Sequence, residues 1–329
     1  MTDGDARAVA RGAITFCSDV DASGVRPGSR MVQLSARRDG VPVARLGWEV
    51  CEDLGGVRGP VGVIGEYEVD DSAAGVALLR EAQRRCVALG AVRVIGPMDG
   101  STWQRYRFAL SAGESAPGAG QAPFLLEPWN SPDRIVEFER AGFRAATFYE
   151  SRLTTEFTRP GAEALAKRVA RAGVTVSSLS PDCLETTLAE VWPLCRDAFS
   201  GAPYYREIDF QRFRALHLGL LTQMDPEFVL LARSAEGRLL AFVLAYPDAV
   251  VGPPPTLRRI ILKTLAVTPD CPTRGVGTHL SDEVHRRAQV RGFGCVIHAL
   301  MHEGNPTLRI SHLHHSTLFR RYALFEWTP

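Results

Sequence analysis

An apolar run, Ile261-Leu262-Lys263-Thr264-Leu265-Ala266-Val267, passes through Thr268-Pro269-Asp270-Cys271-Pro272-Thr273 into Arg274-Gly275-Val276-Gly277-Thr278 and a stretch of helical periodicity. A strand, a glycine-containing turn and a helix N-terminus gather unpaired backbone N–H groups at the positive end of a helix dipole, which suits an anion such as a pyrophosphate. Gly275 and Gly277 would let the anion approach the backbone closely, and Arg274 would add a charge-assisted contact. The same residues also fit an ordinary strand-to-helix turn. No G-K-[ST] follows for a P-loop, and there is no G-x-G-x-x-G for a dinucleotide. Elsewhere, His312, His314 and His315 cannot all face one ion from a helix and have no carboxylate at i+3 or i+4, so no metal site is expected. Cys295 lies inside an apolar strand, where a buried, inert thiol is expected.

The elements that would position this turn occur twice. In the first copy, two alternating apolar runs between Met31 and Val50 are joined by Arg38-Asp39-Gly40 and read as a hairpin. A strand over Pro60–Val69 follows, then an amphipathic helix over Ser72–Leu89 stopped by Gly90, a strand over Val92–Ile95, the turn Gly96-Pro97-Met98-Asp99-Gly100 and a small-residue loop from Ser111 to Pro123. In the second copy, Phe228–Ala232 and Leu239–Tyr246 flank Glu236-Gly237 as a hairpin, followed by a strand over Ile260–Val267, a helix over His279–Arg291 and a strand over Cys295–Leu300. Two helices, around Leu184–Phe199 and Asp209–Leu221, precede the second hairpin, and a short helix over Gly161–Gly173 leads into a first strand, Val174–Leu179. Two copies of one module are expected, with the boundary near Arg159-Pro160. At the place of the glycine-rich turn the first copy has Glu68-Val69-Asp70-Asp71-Ser72-Ala73-Ala74-Gly75, where two carboxylates would repel a pyrophosphate.

From Leu265 through Leu280, and in its element order, the chain resembles the acyl-CoA-binding segment of the GCN5-related N-acetyltransferase superfamily, whose pattern is Q/R-x-x-G-x-G/A. Gly275 and Gly277 match it, Pro272 departs from it at the first position, and Arg274 is the residue at hand to replace the usual Gln or Arg. The resemblance implies an α/β (α+β) fold of two such domains, each a mixed, mostly antiparallel twisted sheet flanked by helices. Residues 1–158 would form a degenerate copy, and residues 159–329 the copy with the acyl-CoA or phosphopantetheine site. It further implies that the backbone of Leu265, Ala266 and Val267 pairs with the pantetheine arm and that Thr273, Arg274, Gly275, Val276, Gly277 and Thr278 hold the pyrophosphate, with Asn305 also contacting the cofactor. The next strand would splay away to open a slot, in which an amine attacks the thioester carbonyl directly.

Within that frame Tyr322 is the candidate for protonating the leaving thiolate, and Glu303 and His302, at the slot, are candidates for the general base. Tyr204, Tyr205 and Glu207 resemble acceptor-side residues by position and fit equally as core anchors. In the first copy, Gly96–Trp103, Pro123–Pro128 and Phe138–Phe143 resemble the back half of a tandem member, kept for packing and for walling the acceptor site. The donor would be acetyl-CoA, another acyl-CoA, or an acyl thioester on a carrier protein met by a basic rim of Arg258, Arg259, Arg286, Arg287 and Arg291. The acceptor would be an amine-bearing small molecule or peptide. The rival expectation is a non-catalytic module that binds acyl-CoA or a peptide.

Composition sets the outer bounds. The 329 residues carry 38 Lys+Arg against 37 Asp+Glu, a formal charge of +1, so no global field favours nucleic acid or an anionic membrane. Only Lys167 and Lys263 are lysines. Seven scattered cysteines without a C-x-x-C pair point to reduced thiols and, with no apolar leader or membrane-length run, to a cytoplasmic protein.

Overall fold

Asp39 and Gly40 both take positive φ, 51° and 80°, and turn β2 (Val32–Arg38) tightly into β3 (Val41–Cys51). That hairpin belongs to a computed structural model of the chain, which describes residues 13–19, 31–110, 121–248 and 258–329; most of the small-residue loop expected after Ser111 lies outside the described residues. The N-terminal half continues from β1 (Ile14–Asp19) and this hairpin through β4 (Val61–Val69), α1 (Ser72–Ala88), β5 (Arg93–Gly96), the short β6 (Phe108–Ala109) and α2 (Pro132–Arg140) to β7 (Arg144–Thr154). After α3 (Ala162–Arg171), the C-terminal half repeats the order. It comprises β8 (Thr175–Ser178), α4 (Leu184–Phe199), α5 (Phe210–Leu221), β9 (Val229–Arg233), β10 (Leu239–Pro247), β11 (Arg259–Val267), α6 (Val276–Val290), β12 (Cys295–His302), α7 (Thr307–Leu313) and β13 (Thr317–Trp327). The helix expected from His279 begins three residues earlier, because Gly275 at φ 90° serves as its N-cap.

All strands share one sheet, in the order β1-β2-β3-β4-β5-β13-β7-β12-β11-β10-β9-β8, with β6 also on β13. Two pairs, β4–β5 and β11–β12, are parallel, and the others are antiparallel. The halves exchange their closing strands: β13 pairs with β5 of the N-terminal half, and β7 pairs with β12 of the C-terminal half. The exchange is sealed by packing. Phe325 of β13 lies against Phe138 of α2 and Phe108 of β6, with ring centroids 6.1 and 5.9 Å apart, inside the core that α1 and α2 form on the sheet. Burying a side chain of this size contributes about 1.5–3 kcal/mol relative to leaving it exposed.

The C-terminal half is covered on both faces. Val169 of α3 and Leu280 and Val284 of α6 pack on one side, while Leu188 and Val191 of α4 and Phe213 and Leu221 of α5 pack on the other. Among the described residues no helix is long and apolar enough to cross a membrane.

Candidate active site

Parallel pairing of β11 with β12 runs from Arg259–Cys295 to Leu262–His298 and stops there, although both strands continue. Irregularities on both strands coincide with that level. Lys263 is an extra residue in β11, since Leu244 faces Thr264 and the next residue, Ala245, faces Leu262. On β12, Leu300 takes φ 62°, its pairing with β7 lapses between His298 and Met301, and its N–H turns to the Ser151 Oγ at 3.0 Å. Beyond Leu262 the edge of β11 is therefore open toward β12.

The corresponding place in the N-terminal half is closed by its own chain. After β5 the backbone folds back onto β4, where Met98 N–H donates to the Ile64 carbonyl at 2.8 Å and Glu66 N–H donates to Asp99 Oδ1 at 2.7 Å. A Cβ on Gly65 would lie 2.2 Å from the Met98 carbonyl oxygen, which shows how tightly this plug sits. The two helix N-termini differ in the same sense. Asp71 caps α1 by accepting from the N–H groups of Ala73 (2.9 Å) and Ala74 (3.0 Å), and it also pairs with Arg38. Helix α6 has no side-chain cap and no acidic residue in its first turn. Arg274 is exposed beside it, and Arg168 of α3 donates to the Arg274 carbonyl at 3.2 Å, which brings a second guanidinium to the turn.

Structural demands account for the two glycines. Gly275 has the left-handed backbone, and a Cβ there would meet Leu165 Cδ1 at 2.9 Å. A Cβ on Gly277 would meet Val267 Cγ2 at 2.9 Å, so this glycine lets α6 approach the end of β11. Val276 is buried, and Thr273 and Thr278 are partly exposed around the same turn. Leu265 and Val267 face α6, while Ala266 packs on the α4–α5 side.

A cavity of about 570 Å³ opens at the split, walled by α4, α5, β11, β12, α7 and the N-terminal loop from Thr102 to Arg107. Its inner part is apolar, lined by Leu188, Val191, Phe213, Leu221, Phe242 and Leu244. Its polar lining includes Lys263, His217, His302, Asn305, Arg107 and Tyr205. His217 Nδ1 lies 2.8 Å from the Phe213 carbonyl, an acceptor only, so Nδ1 carries the proton and Nε2 keeps a lone pair. Burial lowers the His217 pKa, and the Lys263 charge lowers it further, so the ring is neutral near pH 7. His302 has the opposite tautomer: its Nδ1 accepts the Gly304 N–H at 3.1 Å, which leaves Nε2–H as a donor, and burial lowers its pKa as well. Lys263 is brought down to about 8 by burial and by the neighbouring Arg107 charge. Asn305 uses its Oδ1 to accept from both Thr307 N–H and Thr307 Oγ1 at 2.9 Å, leaving its amide N–H groups as donors. Burial and then Glu207 push the Tyr205 phenol up to about 12, and its buried hydroxyl has no partner.

Of the residues picked out in sequence, His302, Asn305, Leu265 and Tyr205 line this cavity. Glu303 does not; its carboxylate pairs with Arg321 at the surface. Nor does Tyr322, whose fully buried hydroxyl bonds Glu127 and, at 3.0 Å, Ser151, and whose pKa is driven well up by burial and by the Glu127 charge. Tyr204 is a buried anchor with its hydroxyl 3.3 Å from Glu326, and Glu207 is exposed. Between them Arg206 binds Glu49 at 3.0 Å and Asp53 at 2.9 Å, so the N-terminal half holds the loop that carries Tyr205. The arginines expected as a rim for a carrier protein are largely spent within the chain: Arg259 on Asp248, Arg286 and Arg287 on Glu283, and Arg291 on Asp225 and Glu227.

Lys263, His217 and Arg107 were not singled out as site residues. The signal for Lys263 was there, as a charge inside the apolar run Ile260–Val267; a histidine in helix α5 and an arginine in a loop carry none.

His314 is buried and stacks on His285 at 3.7 Å, and His285 Nε2 lies 2.8 Å from His298 Nε2. Burial lowers the pKa of both His285 and His298, the latter to about 3. Among the described residues no group of His, Cys, Asp and Glu is arranged to hold a metal ion.

No family model and no curated protein sequence matches the chain. Solved structures do. The glucosamine N-acetyltransferase region of a fungal multi-domain GH3 β-N-acetylglucosaminidase aligns with 97% of this chain at a TM-score of 0.57 and 13% identity; the match spans 38% of that longer protein. A tandem GNAT protein from the clavulanic acid biosynthesis pathway aligns over 92% of this chain and 84% of its own, with TM-score 0.51 and 12% identity. A probable N-acyltransferase from Enterococcus faecalis aligns over 91% and 62%, with TM-score 0.52 and 8% identity. Identities this low speak to architecture alone, and the architecture is the GCN5-related N-acetyltransferase fold.

Proposed function

We propose that the chain is an N-acyltransferase whose C-terminal half, residues 159–329, takes an acyl group from a CoA thioester and passes it to an amine, while residues 1–158 wall the acceptor site. The observation that carries this reading is the contrast between the halves. The slot beside β11 is open and the α6 N-terminus is uncapped, whereas the slot beside β4 is plugged by Met98 and Asp99 and α1 is capped by Asp71. Those features fit the donor: N–H groups and Arg274 for the pyrophosphate, the open edge of Leu265–Val267 for the pantetheine amides, and the cavity for the acyl group.

In the cavity, His217 Nε2 takes the proton from the acceptor amine as its nitrogen attacks the thioester carbonyl carbon. His302 Nε2–H and the Asn305 amide are the donors available to the oxygen and sulfur as negative charge develops. The C–S bond breaks, the proton on His217 passes to the thiolate, and CoA leaves as the free thiol. Tyr322, held between Glu127 and Ser151, supports the sheet beneath this site.

Calorimetric titration with acetyl-CoA and octanoyl-CoA tests the reading. Wild type should bind one equivalent per chain. Thr278→Glu should keep or raise stability by about 0.3–1 kcal/mol, because a carboxylate suits a helix N-terminus, yet lose donor binding. Absence of binding to wild type, or binding unchanged in the variant, would refute the assignment.

A further inference from the structure

Two cations line the cavity without a carboxylate partner. Lys263 makes no hydrogen bond or ion pair among the described residues. Arg107, 6% exposed, lies in the corner between the perpendicular rings of Tyr106 and Tyr149, whose centroids are 4.0 and 4.2 Å from its guanidinium carbon. It donates to the Leu300 carbonyl at 3.3 Å, and its Nε has no partner. The one carboxylate on the cavity wall, Glu127, is already committed to Arg320, Tyr322 and the Phe124 N–H, and Arg105 pairs with Asp99. A charge held in a cavity without a counter-ion is costly, and the buried Arg107 and half-buried Lys263 together present an unneutralised pair that suits an anion.

We propose that the acceptor carries a carboxylate as well as its amine, and that Lys263 and Arg107 hold that carboxylate in the cavity between the halves. This deepens the acyl-transfer reading and rests on it for the word acceptor. The diphosphate of the donor does not compete for these cations, because its place at the α6 turn follows the far end of β11, past Val267. Amino acids and their small relatives have the required chemistry. The same two positive charges favour the unprotonated form of an amine brought next to them, which is the form that attacks.

N-octanoylglycine and N-octanoylglycinamide, which differ only in the carboxylate, are the probes, titrated into the full-length chain with CoA present. Charge-assisted hydrogen bonds of this kind predict about ten- to hundredfold tighter binding of the acid. The preference should fall below about threefold in Lys263→Met and in Arg107→Met. Lys263→Met should also melt at a higher temperature than wild type, so its loss of preference cannot be laid to unfolding. Equal affinity of wild type for the two probes, no binding of either, or a preference that survives both substitutions would overturn the proposal. Donor titration separates the two inferences. Acyl-CoA binding without acid preference removes only the carboxylate site, whereas acid preference without acyl-CoA binding removes the transferase and leaves the anion site.

Discussion

The inner cavity wall of Leu188, Val191, Phe213, Leu221, Phe242 and Leu244 makes a quantitative demand on the donor. A two-carbon acyl group leaves most of about 570 Å³ unfilled, whereas a chain reaching between α4 and α5 removes its methylenes from water. Each buried CH2 contributes about 0.8 kcal/mol, roughly fourfold in affinity. The six methylenes that separate octanoyl from acetyl then set a ceiling of about 5 kcal/mol, or some three orders of magnitude. Ordering the chain takes back part of this, so a gain of about one to two orders is expected. Calorimetry with acetyl-, butyryl-, hexanoyl- and octanoyl-CoA should show affinity rising at each step. In Val191→Trp, where an indole projects from α4 into the hollow, the rise should stop at a shorter chain while acetyl-CoA binding stays as it was. A flat series in wild type would refute this use of the cavity, as would a series that Val191→Trp leaves unchanged.

Further outcomes follow from individual residues. His217→Ala should lower kcat/KM by about 10²–10⁴, and the wild-type pH–rate profile should have its acid limb below the ordinary histidine value of 6.5, since burial and Lys263 both disfavour the protonated ring; a limb that persists in the variant would assign the proton transfer elsewhere. Because the folded-state pKa of Lys263 is depressed to about 8 from 10.5, the unfolded chain binds more protons between those values, and wild-type stability should climb with pH across that window. Denaturant titrations of Lys263→Met should lack the climb and show a gain at pH 7 on the order of 2–3 kcal/mol. Asp71→Ala should cost about 1 kcal/mol of stability through the lost cap, while the donor stoichiometry measured by calorimetry remains one per chain, because Met98 and Asp99 still fill the N-terminal slot.

What was legible in the sequence was local. Asp39-Gly40, the glycines after helices and the 3.6-residue and two-residue periods located both hairpins, the strands β4, β5, β8, β11 and β12 and the helices α1 and α3 to α6, and the Asp70-Asp71 pair marked the N-terminal turn as unfit for an anion. The groups that line the cavity were less so. Alternation along Ile260–Val267 says nothing of the bulge that leaves Lys263 unopposed, and the His217 tautomer depends on a carbonyl four residues back in a helix whose partner faces were unknown. Tyr322 stands in β13, but the carboxylate that occupies its hydroxyl comes from Glu127, 195 residues away in sequence. Nor does any local signal distinguish β7 from β13 as neighbours of β5 and β12, since both are long strands of similar pattern.

The crossed placement of β7 and β13 bears on how the protein comes into being. The strand at the middle of the sheet, next to β5, is synthesised after every other strand of that sheet. Until it emerges, β5 has a bare edge and Phe138 lacks the Phe325 ring that covers it. The N-terminal half must therefore wait, partly assembled and with sticky edges exposed, through synthesis of everything after β7. Pairings this distant also make for slow folding. Cutting the gene between the halves should then yield not one active and one inert domain but two fragments that recover a native sheet only when they meet.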